Sequence, residues 1–257
     1  NNVQEKTNEK TDKKKKGKKM VKNHLKRLSV PKSWVIKRKK NVFVTRPMPG
    51  GQEMSFCLPL NVVLRDFIKI GKTTKEIKHI LNHNDVLING KRRTDVKTAF
   101  GFMDVLNINK LNESYRLLIN SGGKLIATKI VDAEKNILLL KVLGKTKLKG
   151  GKIQINFTNG INLIVEKDDF KTQCVVVYDF VKKKISEIFN LEKGNAVYLT
   201  GGRYAGTVAK IESIKDKVLI FRTQDNEMFR TSAKYAFVVG KDKPVIKLLE
   251  RESDKWM

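Results

Sequence analysis

CLPLNVVLRDFIKIGKTTKEIKHILNHNDVLINGKRRTD, residues 57–95, packs two helix signatures, a strand and a tight hairpin into one short unit. Pro59 suits a first helical turn, and Leu60, Val63, Leu64, Phe67 and Ile68 recur at the spacing of one helix face, with Gly71 as the stop. Thr73 and Glu76 form a capping-box pair ahead of a second apolar face, Ile77, Ile80 and Leu81, which ends at Asn82 and Asn84. Val86–Ile88 reads as a strand. Asn89-Gly90 is the strongest short signal for a hairpin turn, and Lys91, Arg92 and Arg93 follow it directly. A strand over Val105–Ile108 completes the unit. Two short helices and a hairpin tipped with three cations suit docking on RNA.

Upstream, Lys13 to Gln52 carries fifteen Lys and Arg residues and neither Asp nor Glu. Like charges at this density repel and hydrate strongly, so the run needs a polyanion to neutralise it. Residues 1–20 hold almost nothing to bury and read as a disordered basic tail. Residues 21–56 read as an RNA-binding arm, because Val21, Leu25, Leu28, Val30, Trp34, Val35 and Ile36 are interleaved with the cations and can pin the arm to a surface. The candidate RNA contacts here are Lys18, Lys19, Lys22, His24, Lys26, Arg27, Lys32, Trp34, Lys37, Arg38, Lys39 and Arg46. A nuclear localisation signal is a competing and compatible use of such Lys runs.

From Tyr115 onward the chain reads as β. Runs such as YRLLI, KLIATKIV, NILLLKV, KIQINF, INLIV, QCVVVYDF, AVYLT, KVLIF and YAFVV are separated by turn signals including Asn159-Gly160. Only KKKISEIF, near Lys182, reads as a candidate helix. The whole is expected to be an α+β, multidomain chain. The expected divisions are the tail and arm, the helix-and-hairpin unit over 57–112, a central β domain over 113–190, a Gly-rich β domain over 191–240 and a C-terminal tail over 241–257.

Charge narrows the function. The 257 residues carry 54 Lys and Arg against 26 Asp and Glu, a net +28 that extends beyond the arm. A field of that sign concentrates phosphates and speeds encounter with them. If roughly ten cations meet phosphates, log affinity should fall with log salt at a slope of about −7 to −9. Two cysteines, Cys57 and Cys174, fit a reduced intracellular protein better than a disulfide framework. No apolar run approaches the roughly 20 residues of a membrane helix, and the N-terminus lacks a signal-peptide core. The expected location is cytosolic or nuclear, with no membrane and no small-molecule substrate.

Catalytic chemistry finds little support. His79 and His83 stand at the i, i+4 spacing of a metal pair, but only Asp85 is near and solvent-facing polar residues explain them better. Gly71-Lys72-Thr73 and Gly144-Lys145-Thr146 mimic the end of a phosphate loop, yet the first required glycine is Asp66 in one and Leu139 in the other. Asp168-Asp169 reads as a turn. No cofactor, no metal and no enzymatic activity are expected.

NHLKRLSVPKSW (Asn23 to Trp34), CLPLNVVLRDF, INGKRRTD, GFMDV (Gly101 to Val105), the Thr200-Gly201-Gly202 turn and FVVGKDKPVIKL, in this order, resemble the archaeal and eukaryotic small-subunit ribosomal protein family S-four-e. The resemblance implies a basic arm, an S-four-type RNA-binding domain, a central β domain and a C-terminal KOW domain of SH3-like barrel fold. It implies a structural constituent of the small ribosomal subunit that binds and stabilises small-subunit rRNA beside neighbouring ribosomal proteins. The place implied is the cytoplasmic ribosome, with nucleolar passage if the cell is eukaryotic. Carried over, the RNA-contacting module spans Leu60 to Asn107, with Arg65, Lys72, Lys91, Arg92 and Arg93 as phosphate ligands. Lys97 and Arg203 join the candidate RNA contacts, and Gly90, Gly201, Gly202 and Gly206 the positions of tight turn or close backbone approach. The KOW segment spans Gly194 to Arg222, where Ala209 replaces a usual glycine and Lys210 a usual aliphatic, which would loosen its hairpin. A reading of another class, a KOW-bearing transcription or translation regulator outside the ribosome, would call for an exposed apolar partner surface on the last barrel.

Overall fold

The computed structural model describes residues 24–249 apart from 167, 216, 224 and 225. The expected tail and the contacts Lys18, Lys19 and Lys22 lie outside the described residues. The arm starts with a two-stranded ladder, β1 (Leu25–Lys26) against β2 (Phe43–Val44). Its later part packs on the body: Trp34 is 2% exposed and its indole donates to the Met54 carbonyl at 3.1 Å, while the amide of Leu125 donates to Ser33 at 2.8 Å.

The first helix differs from the sequence expectation. Pro59 closes a strand, β3 (Cys57–Pro59), and α1 follows as one α-helical turn, Leu60–Val62, running into a π-helical stretch, Val63–Phe67. Two of its first amides are taken by neighbouring chain: Leu60 donates to Thr98 at 2.9 Å and Asn61 to Val96 at 3.0 Å. The wider turn shows at its end, where Ile68 donates to Val63 and Ile70 to Leu64. The chain leaves through Lys69 at φ 63°, so Gly71 is not the stop. α2 (Thr74–His83) matches its signature, with Thr73 accepting from the Glu76 amide and Glu76 accepting from the Thr73 hydroxyl and the Lys72 amide.

β3 pairs with β6 (Ala99–Gly101). Beside them a five-stranded antiparallel sheet runs in the order β5-β4-β7-β8-β9, built from β4 (Val86–Ile88), β5 (Lys91–Arg92), β7 (Val105–Ile108), β8 (Glu113–Ile119) and β9 (Leu125–Lys129). The central sheet has order β12-β11-β10-β13-β14, from β10 (Ile137–Lys147), β11 (Ile153–Phe157), β12 (Asn162–Val165), β13 (Val175–Asp179) and β14 (Lys184–Phe189). The last sheet has order β18-β17-β16-β15-β19, from β15 (Ala196–Leu199), β16 (Val208–Lys215), β17 (Val218–Arg222), β18 (Met228–Ser232) and β19 (Ala236–Gly240). The fold is therefore mixed but mostly β.

The segment expected as a helix near Lys182 is β14. Asp179 accepts from the amides of Val181 and Lys182, and Lys183 at φ 54° turns the chain back onto β13. Tyr178 faces Ile185 and Val177 faces Glu187, so Ser186 is an extra residue and the ladder bulges. That bulge flips side-chain parity, which is why Ile185 and Ile188, three apart, both turn to one face. The 3-residue spacing that imitates a helix face is a bulged strand.

One apolar core joins distant parts of the chain. Trp34 of the arm, Leu64 of α1, Leu81 of α2, Leu117 of β8, Val197 and Val238 of the last sheet and Ile246 near the C-terminus belong to the same buried cluster. The central sheet contributes to it with one face, Leu139, Val175 and Val177, and builds a second core with the other, Leu138, Leu140, Val142 and Val176. This is the period-2 alternation of strands buried on both sides. Polar ties cross the same seams. The Tyr198 hydroxyl bonds the backbone of Ile119. The buried Arg116 guanidinium donates to the carboxylate and carbonyl of Glu134 and to the carbonyl of Ile137, and Glu134 also accepts from the Lys247 amide. Lys141 donates to the carbonyls of Lys234 and Ala236, and burial lowers its pKa to about 8.

Candidate nucleic-acid interface

The hairpin between β4 and β5 carries exposed cations on a turn fixed by side-chain hydrogen bonds. Asn89 at φ 49° and Gly90 at φ 75° give the two left-handed residues of a type I′ turn. The Asn89 side chain fastens the turn from beneath: its oxygen accepts from the Val105 amide at 2.9 Å and its nitrogen donates to Asp104 Oδ1 at 2.8 Å. Asp104 Oδ2 accepts from the Gly101 amide at 2.8 Å. Burial outweighs these donors and pushes the Asp104 carboxyl up to about 6. A polar lock of this kind holds Lys91, Arg92 and Arg93 outward on a fixed support, and all three are exposed.

The cations differ in freedom. Arg65 grips its own neighbour, with both Asp66 oxygens at 2.8 and 2.9 Å. Arg92 lies 3.4 Å from Asp85 and donates to the Asn82 carbonyl at 3.1 Å, which folds it onto the end of α2. Lys72, Lys91, Arg93 and Lys97 are exposed and form no ion pair within 4.0 Å among the described residues. These four present net positive charge to solvent. The two paired arginines present little.

In the arm, two residues expected to touch RNA turn inward. Trp34 is in the core, so no ring face is left for a base, and Arg27 is 4% exposed with Nη1 donating to the Lys37 carbonyl at 2.8 Å. Arg38 is half-buried, its fork bonded to the carbonyls of Leu28, Val30 and Pro31 at 3.1–3.3 Å. Guanidinium groups thus fold the arm by collecting carbonyls that no ladder satisfies. His24, Lys26, Lys32, Lys37, Lys39 and Arg46 are exposed. Phe43, which no charge or motif marks in the sequence, is 52% exposed with its ring 5.3 Å from that of His24.

In the last sheet, Arg203 is exposed and its guanidinium lies 5.8 Å over the Tyr204 ring. Gly201 and Gly202 sit in the turn against Tyr235. Gly206 has φ 78° and no room: a Cβ there would come within 2.1 Å of the Asn120 carbonyl oxygen. Its close approach is to the protein's own β8–β9 turn. Gly90 is similar, since a Cβ would meet the Phe180 ring at 2.7 Å. Ala209 is buried in β16 and Lys210 pairs with Asp242 at 2.7 Å.

Nothing in the geometry of the described residues resembles a reaction centre. Cys57 and Cys174 are buried free thiols; burial, assisted by Asp104, pushes Cys57 up to about 11, and burial raises Cys174 as well. His79 and His83 stack with ring centres 4.0 Å apart, and His83 Nδ1 contacts the His79 carbonyl. No group of three metal-ligating side chains occurs among the described residues, and no described helix is long and apolar enough to cross a membrane.

Comparison with known proteins gives a consistent result. Residues 111–185 match the family model described as Ribosomal family S4e, and residues 19–51 match the RS4NT (NUC023) domain. The chain is 38% identical over 232 residues to the small ribosomal subunit protein eS4 of Methanosphaera stadtmanae, covering 88% of this chain and 95% of that one. It is 36% identical to the protein of the same name from Methanocella arvoryzae, covering 88% and 98%. The crystal structure of the 30S ribosomal protein S4e from Thermoplasma acidophilum superposes with a TM-score of 0.62 at 30% identity, over 72% of this chain and 95% of that one.

Proposed function

The chain belongs to the S4e family of ribosomal proteins, and from that premise we propose that it works as a structural constituent of the small ribosomal subunit, holding small-subunit rRNA in its folded form. The observation that carries this reading is similarity across nearly the full length of relatives named as small-subunit proteins. The family is structural, not enzymatic, and its partners are rRNA and neighbouring ribosomal proteins. The place is the ribosome in the cytoplasm; the relatives matched are archaeal, which gives nucleolar passage no support. The same names favour the subunit over a free KOW-bearing regulator.

In finer detail, residues 57–112 act as an S-four-type RNA-binding unit and 191–240 as a KOW domain of SH3-like barrel form, after the arm over 21–56 and the central domain over 113–190. The exposed cations Lys72, Lys91, Arg93 and Lys97 bind phosphates, supported by the exposed lysines of the arm and Arg203. Arg92 and Arg65 contribute only when RNA displaces Asp85 and Asp66. Double-stranded RNA is read through phosphates and 2′-hydroxyls rather than base edges, which suits a rigid hairpin bearing charge. Hydroxyl-radical footprinting of small-subunit rRNA with and without the protein is the test. A discrete set of protected riboses is expected; identical cleavage with saturating protein contradicts the reading.

A further inference from the structure

Between the arm, the cationic hairpin and the central sheet lies a cleft of about 850 Å³ whose rim shares Lys91 and Arg93 with the phosphate contacts above. Its walls are fixed. Gly51 and Gly160 touch backbone to backbone, so closely that a Cβ on Gly51 would come within 2.2 Å of Gly160 Cα. Gln52 bonds both the amide and the carbonyl of Phe102, at 2.6 and 2.9 Å, and Phe180 packs over Gly90. The lining combines three chemistries. Lys91, Arg93 and Lys183 supply exposed positive charge; Tyr178 and Phe180 supply half-buried aromatic rings; Asp104, held by Asn89, Gly101 and the Asn159 side chain, supplies a carboxylate in the floor. The Tyr178 hydroxyl has no hydrogen-bond partner among the described residues.

A ligand for this set must carry a phosphate for the cations, a flat ring for the aromatics and an N–H donor for the carboxylate. Volume sets a further limit: clefts of roughly 300–1,000 Å³ enclose molecules the size of one nucleotide, not a duplex about 20 Å wide. Unpaired RNA bases are characteristically captured this way, splayed from the strand and stacked on aromatic side chains. The geometry points to a receptor for a single unpaired nucleotide of the bound RNA, its phosphate at Lys91, Arg93 and Lys183, its base against Tyr178 and Phe180, and its amino or imino edge toward Asp104. This rests on the rRNA-binding reading above and adds a base-level contact to it. An acidic protein segment would use the cations but leave the buried carboxylate facing like charge.

The test is ultraviolet crosslinking of the full chain to small-subunit rRNA, with crosslinked peptides mapped by mass spectrometry. Crosslinks on Tyr178 or Phe180 are expected. Asn162→Trp fills the cleft from an exposed position on β12, and should abolish those crosslinks and weaken RNA affinity about tenfold, the size of one lost base stack. Lys183→Glu, at an exposed turn, is a second variant expected to reduce the same crosslinks. RNA bound normally with crosslinks confined to other segments, or Tyr178 and Phe180 crosslinks unaltered in both variants, overturns the cleft and leaves the family function standing. A chain that binds no small-subunit rRNA overturns both.

Discussion

Replacing Lys91 and Arg93 together with Ala isolates the part of the hairpin that is free to meet phosphate. Both side chains are exposed and form no ion pair within 4.0 Å among the described residues, while Arg92 between them is held at Asp85 and Asn82. Each phosphate contact contributes about 0.7–0.9 to the slope of log affinity against log salt, so the double variant should flatten that slope by about 1.4–1.8. Arg92→Ala should change it by less than about 0.5, because its charge is already offset by a carboxylate. Fold stability should stay within about 0.5 kcal/mol of wild type, since neither side chain is buried. Fluorescence anisotropy with a labelled small-subunit rRNA fragment, titrated from low to moderate potassium chloride, reads the slopes. An unchanged slope in the double variant, or an Arg92→Ala effect as large as the double one, refutes the distinction between free and paired cations.

Two further outcomes follow from groups the sequence did not identify as structural. Trp34→Ala should cost about 3–5 kcal/mol in urea unfolding, as expected for a large aromatic removed from a packed core, and a loss below 1 kcal/mol would mean the ring is not an anchor. Asp104 keeps its proton in the folded state up to pH about 6 but only to about 3.8 when unfolded, so between those values the folded chain holds more protons. Stability from this group is therefore present on the acid side and lost as pH rises through 6, by about 3 kcal/mol in all. Asp104→Asn should flatten that stretch of the profile measured by denaturant unfolding, and an identical pH dependence in the variant would contradict the burial argument.

Sequence determines structure most directly where the interactions are local. Asn89-Gly90 and Thr73 with Glu76 act within a few residues, and they form the hairpin turn and the capping box their residue types encode. The strands from Tyr115 onward were legible as apolar runs bounded by turn signals, the pattern left by strands such as β10 and β13 that are buried on both faces. Failures came where distant chain decides. The π-helical stretch of α1 has no local marker, and its entry is set by hydrogen bonds to Val96 and Thr98. Ile185 and Ile188 imitate a helix face only because β14 bulges against β13. Charge was a good guide to partner and a poor one to contacts: Arg27 and Arg38 spend their donors on the arm's own carbonyls, which spacing does not reveal. The Asn89–Asp104 lock spans fifteen residues, and only the acidic Asp104 inside the otherwise apolar GFMDV segment marks it in the sequence.

Membership of the S4e family places the chain in a ribonucleoprotein particle. Sucrose-gradient sedimentation of lysate from its own cells, with fractions probed for the protein, tests that directly: it should travel with small subunits and complete ribosomes, and shift to light fractions after ribonuclease digestion. Recovery in light fractions of an untreated lysate, apart from either particle, would contradict it.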